Sequence, residues 1–275
     1  MRSIAVINQK GGVGKTTTAV NLSAALAGMG HRVCLMDLDP QSHASLHLGI
    51  ALGDEDRSMY DVLTGNTPLA DIWQRIDERL TLAPAHLNLA AAEMELAGEV
   101  GRDVILRDHW LPHAKDFDFL IVDCPPSLGL LTLNALTTVQ EVFLPLQPHF
   151  LALHGLSKLL QTIELVAKRL NPQLRLSGVV MCMFDAGTRL AAEVTRDVEQ
   201  FFTSHADGRA VWSGARCFQS RIRRNIRLAE APSFGQSIFQ YAAKSHGAED
   251  YEDLARELLG EALVGQRERT LEAAA

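Results

Sequence analysis

Short apolar runs alternate with longer amphipathic stretches along the whole chain. The runs at residues 4–7, 33–36, 80–83, 119–122, 142–146 and 176–183 are only four to eight residues long. That length, with their content of Val, Ile and Leu, predicts buried strands. Between them, the stretches 16–29, 151–170, 190–202 and 248–263 carry apolar residues at helical spacing. Buried strands separated by helices predict an α/β fold: a doubly wound, mostly parallel sheet with helices on both faces. Crossovers in such a sheet are right-handed, and ligands sit at the carboxyl ends of its strands. No Pro/Gly/Ser-rich linker and no internal repeat divides the chain. The expectation is one domain over residues 1–265, followed by a frayed Ala-rich tail at 266–275.

Composition narrows the class. At 275 residues with 47% hydrophobic content, the chain can bury a substantial core. No apolar run approaches the length of a membrane span. The first strand starts at once, which leaves no room for a signal peptide and predicts a cytoplasmic protein. A net charge of −7 argues against a nucleic-acid coat over the whole surface. The charge is uneven, however: residues 214–228 hold five arginines and no acid. That cluster predicts a local, salt-sensitive contact with a polyanion. Cys34, Cys124, Cys182 and Cys217 stand singly, without metal-ligand spacing, and read as free thiols. Trp73, Trp110 and Trp212 read as packing residues.

The most specific chemistry follows the first run. Residues 9–17 read Gln-Lys-Gly-Gly-Val-Gly-Lys-Thr-Thr, a glycine loop between a strand and a helix. Such a loop cradles phosphate. Backbone N–H groups of Gly11, Gly12, Val13 and Gly14 can approach an anion closely, and the helix beginning near Thr16 offers its positive end. Lys15 can reach the β- and γ-phosphates, Thr16 can ligate Mg²⁺, and Thr17 continues the cradle. The loop departs from G-x-x-x-x-G-K-[ST], with Gln9 at the first glycine and a second lysine at Lys10. From the loop alone Lys10 has two readings: a solvated cation, or a residue that reaches the nucleotide of a second subunit. Asp123 closes the 119–122 run, where a buried strand-end carboxylate would hold Mg²⁺; Pro125-Pro126 then fix the exit of the chain. Asp37 and Asp39 flank Leu38, and alternation predicts a common face for them. Either could instead cap the helix near Ser42. His43 and His47 have helical metal spacing but no third ligand, and read as polar helix residues.

Four stretches taken together carry a resemblance: Lys10 to Thr17, Val33 to Gln41, Phe119 to Gly129 and Asn225 to Ser233. Over about the first 260 residues the chain resembles the ParA family of DNA-partitioning ATPases, in the deviant-Walker group that also holds MinD. The resemblance implies ATP and Mg²⁺ as ligands and a homodimer that sandwiches two ATP molecules. In that dimer Gly11 lies at the subunit face and Lys10 contacts the partner's nucleotide. It also implies that Asp39 positions the attacking water, Asp37 supports the Mg²⁺ shell and the Pro-Pro loop senses the nucleotide. Met183 and Arg223 fall at the adenine end, with Arg223 standing where the family has proline. Arg227 matches a family DNA contact. Gly187 occupies the other DNA-contact position, and Arg189 lies two residues away. Arg216, Arg221 and Arg224 complete the expected DNA face. The implied partners are nonspecific double-stranded DNA and a ParB-type centromere-binding protein, or another cargo adaptor, on the nucleoid.

Two other classes compete. A MinD-like membrane-surface ATPase needs a basic amphipathic C-terminal helix, and residues 266–275 have mixed charge and little apolar face, so no stable membrane association is expected. A metabolic P-loop enzyme needs a second substrate pocket, for which the sequence gives no independent sign.

Overall fold

A computed structural model describes residues 1–65, 67–149, 156–204, 210–261 and 263. Its strands are β1 Arg2–Val6, β2 Val33–Asp37, β3 Gln74–Arg75, β4 Leu80–Ala83, β5 Phe119–Asp123, β6 Glu141–Leu146, β7 Arg175–Phe184 and β8 Arg216–Arg223. The helices are α1 Lys15–Gly28, α2 His43–His47, α3 Met59–Thr64, α4 Leu89–Glu95, α5 Ile105–Trp110, α6 Leu130–Thr138, α7 Leu156–Arg169, α8 Arg189–Ser204, α9 Ile226–Glu230, α10 Ile238–Tyr241 and α11 His246–Leu259. The strands form one sheet in the order β3-β4-β2-β5-β1-β6-β7-β8. All neighbours are parallel except β3, which runs antiparallel to β4.

This is the α/β sheet that the apolar runs predict. Period-two alternation divides each strand between two cores. Ile4, Val6, Val33 and Leu35 face α1 and α11, where Leu22, Leu26, Tyr251 and Leu254 pack on them. Ala5, Ile7, Cys34 and Met36 face the other side, which Met59, Leu89, Trp110, Leu159 and Val198 cover. The central β1 pairs with β5 on one side and β6 on the other, and from β6 onward the chain builds the opposite half of the sheet. The crevice for a ligand lies at that switch point, where the glycine loop leaves β1.

Boundaries differ from the sequence expectation by a few residues. The 248–263 helix is observed as His246–Leu259, and the 151–170 helix as Leu156–Arg169 with residues 151–155 outside the described residues. The frayed tail expected at 266–275 also lies outside them. β8 was not expected as a strand, because its charge conceals its period. Phe218, Ser220 and Ile222 are buried, while Arg216, Gln219 and Arg223 face outward. Strands at a sheet edge characteristically carry such charges. The edge is further covered by α11, whose Glu257 carboxylate accepts from Gln219 N at 2.8 Å, Ser220 N at 2.9 Å and Ser220 Oγ at 2.8 Å.

Candidate functional site

The glycine loop leaves β1 and turns into α1 through Gly14, whose φ of 93° lies in the left-handed region that favours glycine. No side chain caps α1, so its first N–H groups remain available to an anion. A Cβ at Gly11 or Gly12 would meet nothing within 4 Å, so the cradle is open at its mouth. Lys15 is buried, at 7% exposure, and its Nζ donates to the Lys10 carbonyl at 3.2 Å. Burial holds its pKa below the usual lysine value, and Asp123 and Asp39 oppose that shift.

Asp123 ends β5 in register with Val6 of β1 and Asp37 of β2. Both of its carboxylate oxygens are sealed from solvent and lack a partner at full hydrogen-bonding geometry, with the Thr16 hydroxyl nearby. Burial and then the neighbouring Asp37 push its pKa well above the carboxylate range, and the Thr16 hydroxyl offsets this only in part. An orphaned buried carboxylate beside a threonine hydroxyl is the donor set that a hard cation such as Mg²⁺ takes, so the residues present fit that ion.

Alternation does not by itself place Asp37 and Asp39 on a common face. β2 ends at Asp37, so the strand period stops before Asp39. Asp37 Oδ2 accepts from Ser45 N at 2.8 Å and Ser45 Oγ at 2.7 Å, and its Oδ1 accepts from Asp39 N at 3.1 Å. It thereby anchors the first turn of α2, and burial pushes its pKa up to about 6. Asp39, 8% exposed, lines the phosphate cavity, and its Oδ1 accepts from Gln41 N at 3.0 Å.

Two adjoining cavities share Gly14, Thr17 and Met183. One, of about 400 Å³, is lined by Gly11, Gly12, Lys15, Thr16, Asp39, Gln41, His43 and Pro126. The other, of about 390 Å³, is walled mainly by apolar groups: Cys182, Ile222, Ile226, Leu228 and Tyr251, with Arg223, Arg224 and Asn225. A polar end beside an apolar end matches a molecule with phosphates at one end and a flat base at the other. Met183 stands between them with φ 50°, a left-handed conformation that a non-glycine residue adopts at a cost. The register of β7 against β8 slips at this point, between Cys182 and Phe184.

Sequence reasoning missed Leu228 and Tyr251. Tyr251 comes from the far end of the chain, its hydroxyl 3.2 Å from Thr18 Oγ1, and no motif announces it. His43, set aside as an ordinary helix residue, lies on the rim of the phosphate cavity, whereas His47 is buried and its pKa is lowered to about 4 by burial. Among the described residues no group of three or more His, Cys, Asp or Glu is placed to hold a metal, so any ion here would rest on Asp123 with a hydroxyl and the ligand's own oxygens. Lys10 is exposed; its Nζ meets His149 Nε2 and does not line its own cavity. Arg223 lines the base-side cavity, but its guanidinium is held by Asp250 at 2.6 Å and Glu249 at 3.1 Å.

The arginines expected at DNA meet different neighbours. Arg216 lies over the Phe218 ring, Arg221 pairs with Glu199 at 3.8 Å and Arg227 with Glu230 at 2.7 Å. Arg189 and Arg224 are exposed and make no ion pair among the described residues.

Fold and cleft together define a nucleotide-binding protein of the P-loop class. The model of the family described as AAA domain matches residues 1–176. The chain is 44% identical over 256 residues to the sporulation initiation inhibitor protein Soj of Bacillus subtilis, covering 93% of this chain and 97% of that protein. It is 42% identical to the chromosome partitioning protein ParA of Myxococcus xanthus, covering 94% of this chain and 88% of that one. It belongs to the ParA/Soj family of partitioning ATPases. A solved structure described as cobyrinic acid a,c-diamide synthase from Mycobacterium smegmatis, with bound ATP analogue and magnesium, is 36% identical, with a TM-score of 0.78 and 94% of each chain covered.

Proposed function

We propose that this chain is an ATP-driven DNA-partitioning switch, in which ATP binding pairs two copies, the pair binds DNA without reading its sequence, and slow hydrolysis releases it. The observation that carries this reading is the division of labour between two lysines. Lys15 is buried in the phosphate cavity, while Lys10 lies outside it on an exposed lip. A cation that does not serve its own site is available to that of another copy.

In this reading the triphosphate lies along the backbone of residues 11–17, with Lys15 on its β- and γ-phosphates. Thr16 and Asp123 would hold Mg²⁺, which supplies charge neutralisation at those phosphates. Asp39 orients the attacking water and accepts its proton. Asp37 acts through α2, fixing the turn that carries Asp39 and Gln41. The base lies against Met183, Ile222 and Leu228. Arg189 and Arg224, having no ion pair among the described residues, are the strongest DNA candidates; Arg216, Arg221 and Arg227 contribute if their present contacts open. A ParB-type protein or cargo adaptor would stimulate turnover on the nucleoid, with residues 1–265 acting as one domain in the cytoplasm. No helix among the described residues is long and apolar enough to cross a membrane.

Size-exclusion chromatography with ADP, ATP and a non-hydrolysable analogue, with and without a DNA fragment, tests the cycle. A dimer is expected only with ATP or the analogue, and DNA should co-elute with that dimer alone. Lys10→Ala should bind ATP with near-normal affinity but remain monomeric and turn over poorly. A wild-type chain that stays monomeric when saturated with analogue and magnesium refutes the switch.

A further inference from the structure

The wall of the base-side cavity is built by the segment that leaves β8: Arg223, Arg224 and Asn225, then Ile226 and Leu228 of α9. It forms on the outermost strand of the sheet, so it has no further strand to hold it. On one side it is tied to β7, where Arg224 N donates to the Phe184 carbonyl at 3.3 Å; its side-chain attachment comes from α11. The Arg223 main-chain N donates to Asp250 Oδ2 at 2.8 Å, and the guanidinium donates to Asp250 Oδ1 from Nε at 2.8 Å and from Nη2 at 2.6 Å. The same Nη2 reaches Glu249 Oε2 at 3.1 Å and the His246 carbonyl at 3.4 Å. Asp250 is 6% exposed, so this carboxylate is withdrawn from water and committed to Arg223. The next residue along α11, Tyr251, forms the floor of the same cavity.

We propose that Asp250 and Arg223 form a clamp that positions the base-side wall, so that α11 sets the affinity for the base of the nucleotide without touching its phosphates. The proposal rests on the nucleotide reading above and adds a residue, Asp250, that makes no contact with the ligand. A proline at position 223, which the family resemblance leads one to expect, would restrain the chain through its ring and offer no N–H. Here the N–H is present, and a carboxylate from the neighbouring helix holds it. The ion pair supplies by charge and geometry what a ring would supply covalently. Loosening it lowers the fraction of chains whose wall is in place, and the apparent affinity for a base-bearing ligand falls by that fraction. Neither Arg223 nor Asp250 lines the phosphate cavity.

The test measures binding of ATP and of inorganic tripolyphosphate, each with magnesium, by calorimetry on the full chain. The variants are Arg223→Gln, Asp250→Asn and Arg256→Gln. The last removes the α11 ion pairs to Glu252 and Glu261, which do not reach β8. Arg223→Gln and Asp250→Asn should weaken ATP about tenfold and leave tripolyphosphate unchanged, since only the base-bearing ligand uses the wall. Arg256→Gln should change neither. ATP affinity unaltered in both clamp variants overturns the proposal. So does a parallel loss of tripolyphosphate, which would mean general damage to the fold, or an equal loss of ATP in Arg256→Gln. Failure of the wild-type chain to bind ATP with magnesium is a different result: it refutes the nucleotide reading, and the clamp with it.

Discussion

Asp123→Asn should make the empty protein more stable and the loaded protein less so. Both carboxylate oxygens of Asp123 are buried and lack a partner at full hydrogen-bonding geometry, and burial raises the acid's pKa well above its ordinary value. Burial outweighs the offset from the Thr16 hydroxyl and the Lys15 ammonium, so a carboxylate here costs more than an amide of the same shape, and asparagine should relieve on the order of 2 kcal/mol in metal-free buffer. At about 2–4 °C per kcal/mol for a chain of this size, that is a rise in melting temperature of roughly 4–8 °C. Magnesium nucleotide reverses the order. A ligand at about a thousand times its dissociation constant adds roughly 4 kcal/mol to the wild type, and a variant that cannot hold the ion forfeits most of it. Thermal melts in EDTA, and again with magnesium and a non-hydrolysable ATP analogue, should therefore cross. If the variant melts below the wild type in EDTA, the carboxylate is already satisfied within the fold and the argument fails. If both proteins gain equally from magnesium nucleotide, Asp123 is not where the ion binds.

Two further outcomes follow from buried carboxylates. Asp37 has its pKa raised from 3.8 to about 6, so the folded state binds its proton more tightly than the unfolded chain does. Stability of the ligand-free protein then contains a contribution that is complete below 3.8 and lost as pH rises through about 6. The shift corresponds to about 3 kcal/mol at 1.36 kcal/mol per unit. Urea unfolding in EDTA between pH 7 and 5 should show stability rising as pH falls, and Asp37→Asn should flatten that slope; a slope unchanged in the variant refutes the assignment. Glu257→Ala strips an acceptor from Gln219 N, Ser220 N and Ser220 Oγ at the edge of the sheet. Leaving these groups unpaired should cost about 2–4 kcal/mol in urea unfolding. Glu257→Gln, which keeps one acceptor oxygen, should cost less, and a loss below about 0.5 kcal/mol in Glu257→Ala would show that water replaces the carboxylate.

The phosphate end of the cleft was legible because it is local in sequence. One loop supplies Gly11 to Thr17, and the strand that ends at Asp123 is an unbroken apolar run. Asp39 was legible for the same reason. Asp37 was less so, because alternation holds only inside a strand and β2 stops at Asp37. The base-side end was barely legible. Its wall comes from β7, β8, α9 and α11, brought together by the order of strands in the sheet rather than by proximity in the chain. The run at 214–228 displayed its arginines and hid its period, since an edge strand with polar outward positions lacks the continuous apolar signature of a central one. The bulge that turns Met183 into both cavities has no signature in a single sequence.

Charge gives the proposed pairing its physical motive. Within one copy the phosphate cavity offers the buried Lys15, opposed by Asp39 along its lining and by Asp123 beside it. Magnesium cancels only part of the charge of a triphosphate, so a single copy would hold its ligand with excess negative charge in a partly desolvated site. Each further cation at the γ-phosphate stabilises both the bound state and the charge that develops on hydrolysis. Lys10 cannot supply it at home while its ammonium lies against His149, outside the cavity. A second copy facing the open mouth at Gly11 and Gly12, where no side chain stands in the way, would bring its own Lys10 to the deficit. Pairing would then depend on the γ-phosphate itself, because a diphosphate leaves a smaller deficit for the incoming lysine to neutralise. ADP at saturation should accordingly leave Lys10→Ala and wild type indistinguishable in size, and ATP should separate them.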